Sequence, residues 1–264
     1  MALPNSGAIS LNDIQTEFGG TNPISISEYY GADTGVPASG TISISDFYGT
    51  SNAPTIGQSF GGGIYVGDYK LSSTNYRLIV APANSAGVRA NQQFSTTDSS
   101  TAGSTSFLSY RDGYNNTYNA LTASNFVAAA YARGLTLNGY DDWYLPSIEE
   151  LMTVYWNCKP TTASNWTFSF FGPNQLFNGS TSNSIPSRPA YSSSSPGQTT
   201  ATILRSTGSE AFTTSSSWMG SSQEGSGSTS PGAKFVALSF TNGFGSMPLA
   251  TTSTAVRLFR RQQF

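Results

Sequence analysis

Paired acidic residues are the part of this sequence that could carry chemistry. Asp141–Asp142 and Glu149–Glu150 both lie in the stretch NGYDDWYLPSIEELMTVYWN, residues 138–157. Two carboxylates flanking a substrate can hydrolyse a glycosidic bond, and clustered carboxylate oxygens bind calcium. Acidic residues also stabilise helix starts, so their spacing decides between a chemical and a structural role.

The second acidic pair has the spacing of a helix start. Ser147 and Glu150 are three residues apart, as in a capping box, and Pro146 prevents helix before them. Glu149 and Glu150 both favour the positive end of the helix dipole, so we expect structural rather than catalytic roles for them. One apolar stripe follows at helical spacing: Ile148, Leu151, Met152 and Tyr155.

The first acidic pair leaves two alternatives open. Asp141 and Asp142 could ligate calcium, but such a site takes roughly six to eight oxygens and no other acidic cluster lies nearby in the sequence. The preferred interpretation is a solvated pair that braces a loop. Trp143 and Leu145 alternate with Tyr144, which predicts that they point inward beneath the following helix.

Composition excludes several classes of chemistry. The chain has no histidine and one cysteine, Cys158, which removes Ser–His and Cys–His nucleophiles, histidine-ligated zinc and internal disulfides. Roughly a quarter of the residues are Ser or Thr, whereas charged residues make up 10%, well below the usual quarter. With a net charge of −2 and scattered Lys and Arg, nucleic-acid binding is not expected.

The sequence also fits neither the pattern of a membrane-spanning segment nor that of a signal peptide. No apolar run approaches the roughly 20 residues that span a bilayer, and MALPNSGAIS lacks the basic and apolar regions of a signal peptide. We therefore expect synthesis in a reducing cytoplasm, no membrane insertion and no export by the general route.

Residues 1–50 contain a threefold repeat. Ile9, Ile24 and Ile42 each begin the phrase Ile-Ser-(Leu/Ile)-(Asn/Ser)-(Asp/Glu)-apolar, which ends in aromatics and glycine. Alternation predicts a short strand, followed by a helical turn capped by Asn12, Ser27 or Ser45. The unit is interpreted either as a subdomain packed on the rest of the chain or as a docking module. Its candidate docking residues are Ile9, Leu11, Ile24, Ile26, Tyr29, Ile42, Ile44 and Phe47.

Residues 51–59 are rich in Pro, Gly, Asn and Ser and are interpreted as a linker. The second domain is expected over residues 60–264. Two strands are predicted at residues 64–66 and 76–80 with a turn at KLSSTN, and a helix is predicted over residues 119–134. Thr122 or Ser124 would cap that helix, and its buried face would contain Phe126, Val127, Ala130 and Tyr131.

Residues 57–264 resemble the C-terminal domain of the Legionella collagen-like adhesin. The resemblance is carried by LTLNGYDDWYLPSIEELMTVYWN and by eight signature residues: Trp143, Leu145, Pro146, Glu150, Leu151, Trp218, Arg257 and Arg260. It implies an α+β, C-type-lectin-like domain with two helices, a small mixed sheet and long loops on one side. It also implies that the first and last strands pair.

Three long irregular stretches could carry a ligand site. Aromatic faces flanked by amides and hydroxyls are suited to neutral sugars, whereas the alternative is that the aromatics plug the loops onto the core or onto neighbouring subunits. The candidate ligand-binding residues are Trp166, Phe170, Tyr191, Gln223 and Asn242. No cofactor is expected, with calcium as an alternative.

The N-terminal phrase SGAISLNDIQTEFGG resembles segments that open structural proteins of tailed phages. The resemblance implies a virion protein that is assembled in the host cytoplasm and released by lysis, and that docks onto other virion proteins through residues 1–50. We expect a tail-fibre or receptor-binding adhesin for a host glycan or protein, and a homo-oligomer, a trimer by analogy with phage fibres. The alternatives are a capsid or neck decoration protein, a bacterial surface adhesin, and a glycan hydrolase, which we do not favour.

Overall fold

A computed structural model describes residues 3–33, 35–50, 52–97, 108–167, 180–212, 217–224 and 234–264, without the side chains of residues 221–224. The chain divides into two compact units, Met1–Pro54 and Thr55–Phe264. The expected linker is therefore split between the two units, and residues 57 and 58 hydrogen-bond to Tyr65 of the second unit. No helix in the described residues is long and apolar enough to cross a bilayer.

The described residues of the first unit form one helix and two shorter helical turns. The helix, α1, is Leu11–Phe18, and the 3-10 turns are Ile26–Tyr29 and Ile44–Phe47. The rings of Phe18, Tyr29 and Phe47 pack against one another with centroids 6.0 to 6.2 Å apart. These three aromatic rings join the two turns to α1, so the repeats bury one another's apolar faces.

The predicted strands of the repeats are wrong, because residues 3–33 and 35–50 contain no β-strand. The predicted caps Asn12, Ser27 and Ser45 are also wrong. Each turn starts two residues earlier, after the serine of the Ile-Ser phrase, because an acid three positions on favours that start. At α1, Ser10 N–H donates to Asp13 Oδ2 (2.8 Å) and Asp13 N–H donates to Ser10 Oγ (3.2 Å).

The repeated phrase is thus a helix start with apolar residues on both sides. An isoleucine precedes each capping serine, and an apolar residue follows four positions after it, which is the spacing of a hydrophobic staple. The apolar residues at the fourth position, Ile14, Tyr29 and Phe47, are all at least 97% buried. Each copy of the repeated phrase therefore contributes one buried apolar residue to the core of this unit.

The described strands of the second unit form two sheets. The first has the order β1-β2-β3-β10, all antiparallel, with β5 paired to β2. These strands are β1 Ser59–Phe60, β2 Gly63–Leu71, β3 Thr74–Val80, β5 Ser184–Ile185 and β10 Phe259–Gln263. The β2–β3 hairpin is longer than predicted, so the turn shrinks to residues 72–73.

The second sheet has the order β4-β9-β6-β7-β8 and is mixed, because β6 and β9 are parallel. Its strands are β4 Val88–Gln93, β6 Ser217–Glu224, β7 Lys234–Ser239, β8 Gly245–Ser246 and β9 Ser253–Arg257. The last two strands, β9 and β10, are separated at Leu258 and belong to different sheets. The implied pairing of first and last strands is wrong, since β10 pairs with β3.

The helices of the second unit are α2 Gly113–Asn115, which continues as a π-helical turn Asn116–Ala120, then α3 Val127–Arg133 and α4 Ile148–Cys158. A 3-10 turn lies at Thr202–Leu204. The described chain is thus a mixed α+β protein.

The helix predicted over residues 119–134 is interrupted at residues 121–126 and is wrong in its first half. Neither Thr122 nor Ser124 caps α3, whose N-cap is Phe126. Its buried positions are Ala128, Ala129 and Ala132, while Ala130 is exposed. Arg133 Nη1 donates to the carbonyls of Thr117 and Leu121 (2.5 and 2.6 Å). These bonds satisfy carbonyl groups at the end of the preceding turn, and a residue 12 to 16 positions away is not visible in a local sequence pattern.

The second predicted helix is confirmed. In α4, Ser147 is the N-cap, and the capping box with Glu150 is complete. Ile148, Leu151, Met152 and Tyr155 are all buried in one apolar cluster. The spacing of cap and stripe was sufficient here because both depend on residues within one helix.

Candidate functional site

The signature segment lies inside the fold. Trp143, Tyr144 and Leu145 are fully buried, with Tyr144 in one apolar cluster and its two neighbours in the other. Tyr144 also bridges to Phe259 by two backbone hydrogen bonds of 2.8 and 2.9 Å. The alternation predicted from the sequence is present at Trp143, Tyr144 and Leu145, but both faces of these three residues lie in the core.

Glu150 is fully buried at the centre of this scaffold. Its Oε2 accepts backbone N–H groups from Ser147 (2.7 Å) and Gly113 (3.2 Å), and its Oε1 accepts the Tyr144 hydroxyl (2.8 Å). Burial raises the pKa of Glu150 to about 7, against the lowering effect of the backbone hydrogen bond from Ser147. All its contacts are internal, so it holds α4 to its neighbours.

Two arginines of the signature also have structural partners. Arg257 is buried and donates to the carbonyls of Ala81 (2.7 Å) and Glu210 (2.8 Å), and to the Glu210 carboxylate (2.7 Å). Arg260 pairs with Asp142 (2.6 Å) and lies 3.6 Å above the Tyr140 ring. Asp142 therefore has a structural role, in which its ion pair with Arg260 fixes the loop before Trp143.

The remaining signature residues are buried as well. Pro146, Leu151 and Trp218 all belong to the interior, and the Trp218 ring packs edge-on to Phe212 with centroids 5.2 Å apart. Asp141 is exposed, and the described residues contain no group of three or more His, Cys, Asp or Glu that could hold a metal ion.

The candidate functional site is a cleft beside the start of α4. It has a volume of about 540 Å³ and is walled by three segments: residues 109–111, the first turn of α4, and residues 180–188. Its lining consists of Ser109, Tyr110, Arg111, Ile148, Glu149, Met152, Ser180, Ser182, Ser187 and Arg188. Hydroxyl and guanidinium groups thus surround a small apolar patch.

Glu149 is the carboxylate that lines this cleft, and its oxygens are already engaged. Oε2 accepts Arg111 Nε at 3.0 Å, while Oε1 accepts the N–H of Asn183 (3.0 Å) and the hydroxyl of Ser182 (3.3 Å). Glycoside hydrolysis requires a second carboxyl group across the substrate. Glu149 is the one acid among the described lining residues.

The cleft walls are fixed to the scaffold. Thr181 and Arg188 exchange two backbone hydrogen bonds of 3.0 Å, which close the loop between them, and β5 in that loop pairs with β2. On the opposite wall, Tyr110 O accepts the backbone N–H of Glu149 (3.0 Å). Hydrogen bonds within the protein therefore fix both walls of the cleft, as preorganised binding requires.

The ligand-binding residues predicted from the sequence occupy a different region. Trp166 is 39% exposed, and its ring packs on Phe244 with centroids 5.0 Å apart. Its backbone N–H donates to the backbone carbonyl of Asn242 at 2.7 Å. Trp166 and Asn242 are thus brought together. Tyr191 is not available for stacking, because it is buried against Tyr155 with centroids 5.2 Å apart.

Two predicted ligand residues cannot be placed. Phe170 lies outside the described residues, and Gln223 belongs to β6 but its side chain lies outside the described part. Sequence reasoning missed the serines and arginines of the cleft, since they come from three distant segments. The serine-rich runs gave no indication of which hydroxyls would face one another.

Most predicted docking residues lie in the core of the first unit. Ile9, Tyr29 and Phe47 are buried there, and Leu11, Ile24, Ile26 and Ile42 pack partly against that core. Ile44 is the exception, at 38% exposed, and Tyr30 and Tyr48 have similar exposure. The two tyrosines occupy equivalent positions of the second and third repeats.

No family model, curated protein or solved structure matches this chain.

Proposed function

We propose that this chain is a phage virion adhesin. Its second unit is a C-type-lectin-like domain that binds a host-surface saccharide, and its first unit docks onto other virion proteins. The mixed α+β architecture and the buried signature residues are compatible with that domain type. The first unit supports docking through its exposed Tyr30, Ile44 and Tyr48.

The observation that carries the binding function is the polar cleft beside α4. Its volume of about 540 Å³ lies within the usual range for small-molecule sites. Serine hydroxyls can hydrogen-bond to sugar hydroxyls, whereas Ile148 and Met152 also line the cleft but are largely buried in the core. The neighbouring acids are committed to structural contacts, which favours recognition without turnover.

The virion location is tested on particles. Density-gradient-purified phage particles from the source of the gene are probed with antibodies to the chain, and we expect it to band with intact particles. Recovery of the chain on bacterial cells but never on particles would favour the bacterial adhesin. The full chain is next added to an array of bacterial envelope saccharides, where we expect binding without product release.

The docking surface is tested by incorporation into particles. Ile44→Glu places a charge on an exposed apolar position of the first unit, and Ser45→Glu places the same charge on its exposed neighbour. We expect the Ile44 variant to be incorporated less than the Ser45 variant while both remain folded. Equal incorporation of the two variants would show that Ile44 is not part of the docking surface.

A further inference from the structure

The cleft beside α4 continues into a second cleft along β2. That cleft, of about 500 Å³, is lined by Lys70, Leu71, Ser72, Ser109, Arg111, Ser182 and Asn183. Ser109, Arg111 and Ser182 line both clefts. The two clefts therefore share three lining residues and adjoin one another, and together they are named the serine groove.

The serine groove has an excess of positive charge. Among the described residues, it is lined by Lys70, Arg111 and Arg188 and by one carboxylate, that of Glu149. The whole chain carries −2 with only 12 Lys and Arg among 264 residues. A concentration of cations in one groove of an acidic, weakly charged protein is a local feature that the overall composition does not require.

Arg188 has no ion pair among the described residues. Its Nη2 donates to the amide oxygen of Asn157 (3.1 Å), and its guanidinium lies 5.8 Å from the Trp156 ring centroid. Both partners are neutral. Its Nε is buried and has no hydrogen-bond acceptor among the described residues. A buried donor without an acceptor is unfavourable, and a ligand would contact the part of the Arg188 guanidinium that lines the cleft.

Arg111 has donors left for a ligand as well. Its ion pair with Glu149 uses Nε, and 58% of its side chain remains exposed. Guanidinium groups bind carboxylate and phosphate oxygens with paired N–H donors, which gives them a preference for such groups over neutral hydroxyls. Arg111 and Arg188 therefore select for an acidic group.

We infer that the serine groove binds an anionic saccharide, with its acidic group on Arg111 and Arg188 and its hydroxyls on the groove serines. This inference rests on the proposed adhesin function and adds the ligand class. Lys70 lies where a second acidic group of a longer saccharide would reach, at the β2 end of the groove. The acidic group is a carboxylate or a phosphate, since arginine recognises both.

The test uses the purified full chain on immobilised trigalacturonate, its fully methyl-esterified form, a phosphorylated mannan and the unphosphorylated mannan. Esterification and dephosphorylation remove the charge and keep the rings. We expect binding to one acidic member, at least roughly tenfold stronger than to its neutral partner, and weakening with added NaCl. The two acidic arms distinguish a carboxylate ligand from a phosphate ligand.

Substitutions assign the binding to the groove. Arg188→Gln and Arg111→Gln are each expected to weaken binding roughly tenfold or more, because each removes a charge-assisted contact. Arg89→Gln is the matched control: Arg89 is exposed on β4 of the other sheet and stacks 4.5 Å above the Tyr131 ring. If the Arg188→Gln protein does not fold, the binding of the Arg111→Gln protein is the decisive measurement, because Arg111 is exposed.

Three outcomes would overturn the inference. Equal binding to charged and neutral partners would remove the role of charge, and acidic binding that survives both groove substitutions would place the ligand elsewhere. Failure to bind either acidic saccharide would remove the ligand class. In each case the chain's presence on purified particles is measured separately, so the virion proposal stands or fails on its own result.

Discussion

Replacing Glu150 separates a structural carboxylate from a reactive one. Glu150→Ala removes the acceptor for three buried donors, the N–H groups of Ser147 and Gly113 and the hydroxyl of Tyr144. Each orphaned donor costs about 1–3 kcal/mol. Loss of the buried charge offsets part of this, so we expect the free energy of unfolding to fall by about 3–5 kcal/mol.

Glu150→Gln is the matched variant and should cost less than about 1 kcal/mol. The amide oxygen can occupy the Oε2 position and accept both backbone N–H groups, while the amide NH₂ donates to the Tyr144 oxygen. The hydrogen bonds are then retained and the burial of a charge is avoided. Only the hydrogen bond with the Tyr144 hydroxyl changes its direction, because the side chain at position 150 now donates instead of accepting.

Urea unfolding followed by tryptophan fluorescence at pH 7 measures both variants. All four tryptophans lie in Thr55–Phe264, so the signal reports that unit alone. Equal destabilisation by Gln and Ala would refute the reasoning, because the charge rather than the acceptor geometry would then stabilise the fold. A decrease in the free energy of unfolding of less than about 1 kcal/mol for Glu150→Ala would refute it too, because three buried donors without acceptors should cost more than that.

Three further predictions concern the same unit. The pKa of Glu150 is raised from 4.5 to about 7, so the folded state keeps a proton that the unfolded state releases. Stability should therefore fall by about 3 kcal/mol as pH rises from 4.5 to 7, and pH titration of Glu150→Gln should lack that decrease. Arg257→Met leaves the Glu210 carboxylate without its buried partner and should cost about 3–5 kcal/mol in urea unfolding. Gly243→Ala should lower stability by about 2–4 kcal/mol, because its φ is +74° and a Cβ would lie 2.8 Å from two tyrosine rings. Gly139→Ala, at φ +82° in open space, should cost only about 1–2 kcal/mol.

Each of these has a result that contradicts it. Parallel pH profiles for wild type and Glu150→Gln would show that another group causes the slope. A small effect of Arg257→Met would mean that Glu210 finds water or another donor. Equal costs for the two glycine substitutions would show that the tyrosine rings move aside, leaving backbone strain as the only penalty.

Features encoded within one helix could be predicted from the sequence. Ser147, Glu150 and the apolar stripe of α4 lie within a few residues of one another, so spacing alone locates the cap and the buried face. The N-terminal repeats carry the same kind of signal, but Ile-Ser-Ile alternation was interpreted as a strand. The acid three residues after Ser10 or Ser43 was the better indicator, because it satisfies the backbone N–H of the cap.

Features that depend on distant segments could not be predicted in this way. The alanine-rich stretch before Gly134 favours one continuous helix, yet Arg133 binds the carbonyls of Thr117 and Leu121 across a break. The serine groove likewise combines residues 109–111 with residues 180–188 and the start of α4. The sequence distances between these segments contain no periodicity, so only the folded backbone shows which serines and arginines meet.

The start of α4 connects the scaffold to the serine groove. Successive residues of a helix point about 100° apart, so adjacent carboxylates on one turn face different surroundings. Glu150 turns inward and fixes the cap, whereas Glu149 turns to the groove and fixes Arg111. A change that loosens the capping box should therefore also displace the groove wall. We expect the Glu150→Ala protein to bind the ligand more weakly than the Glu150→Gln protein, even under conditions where both are folded.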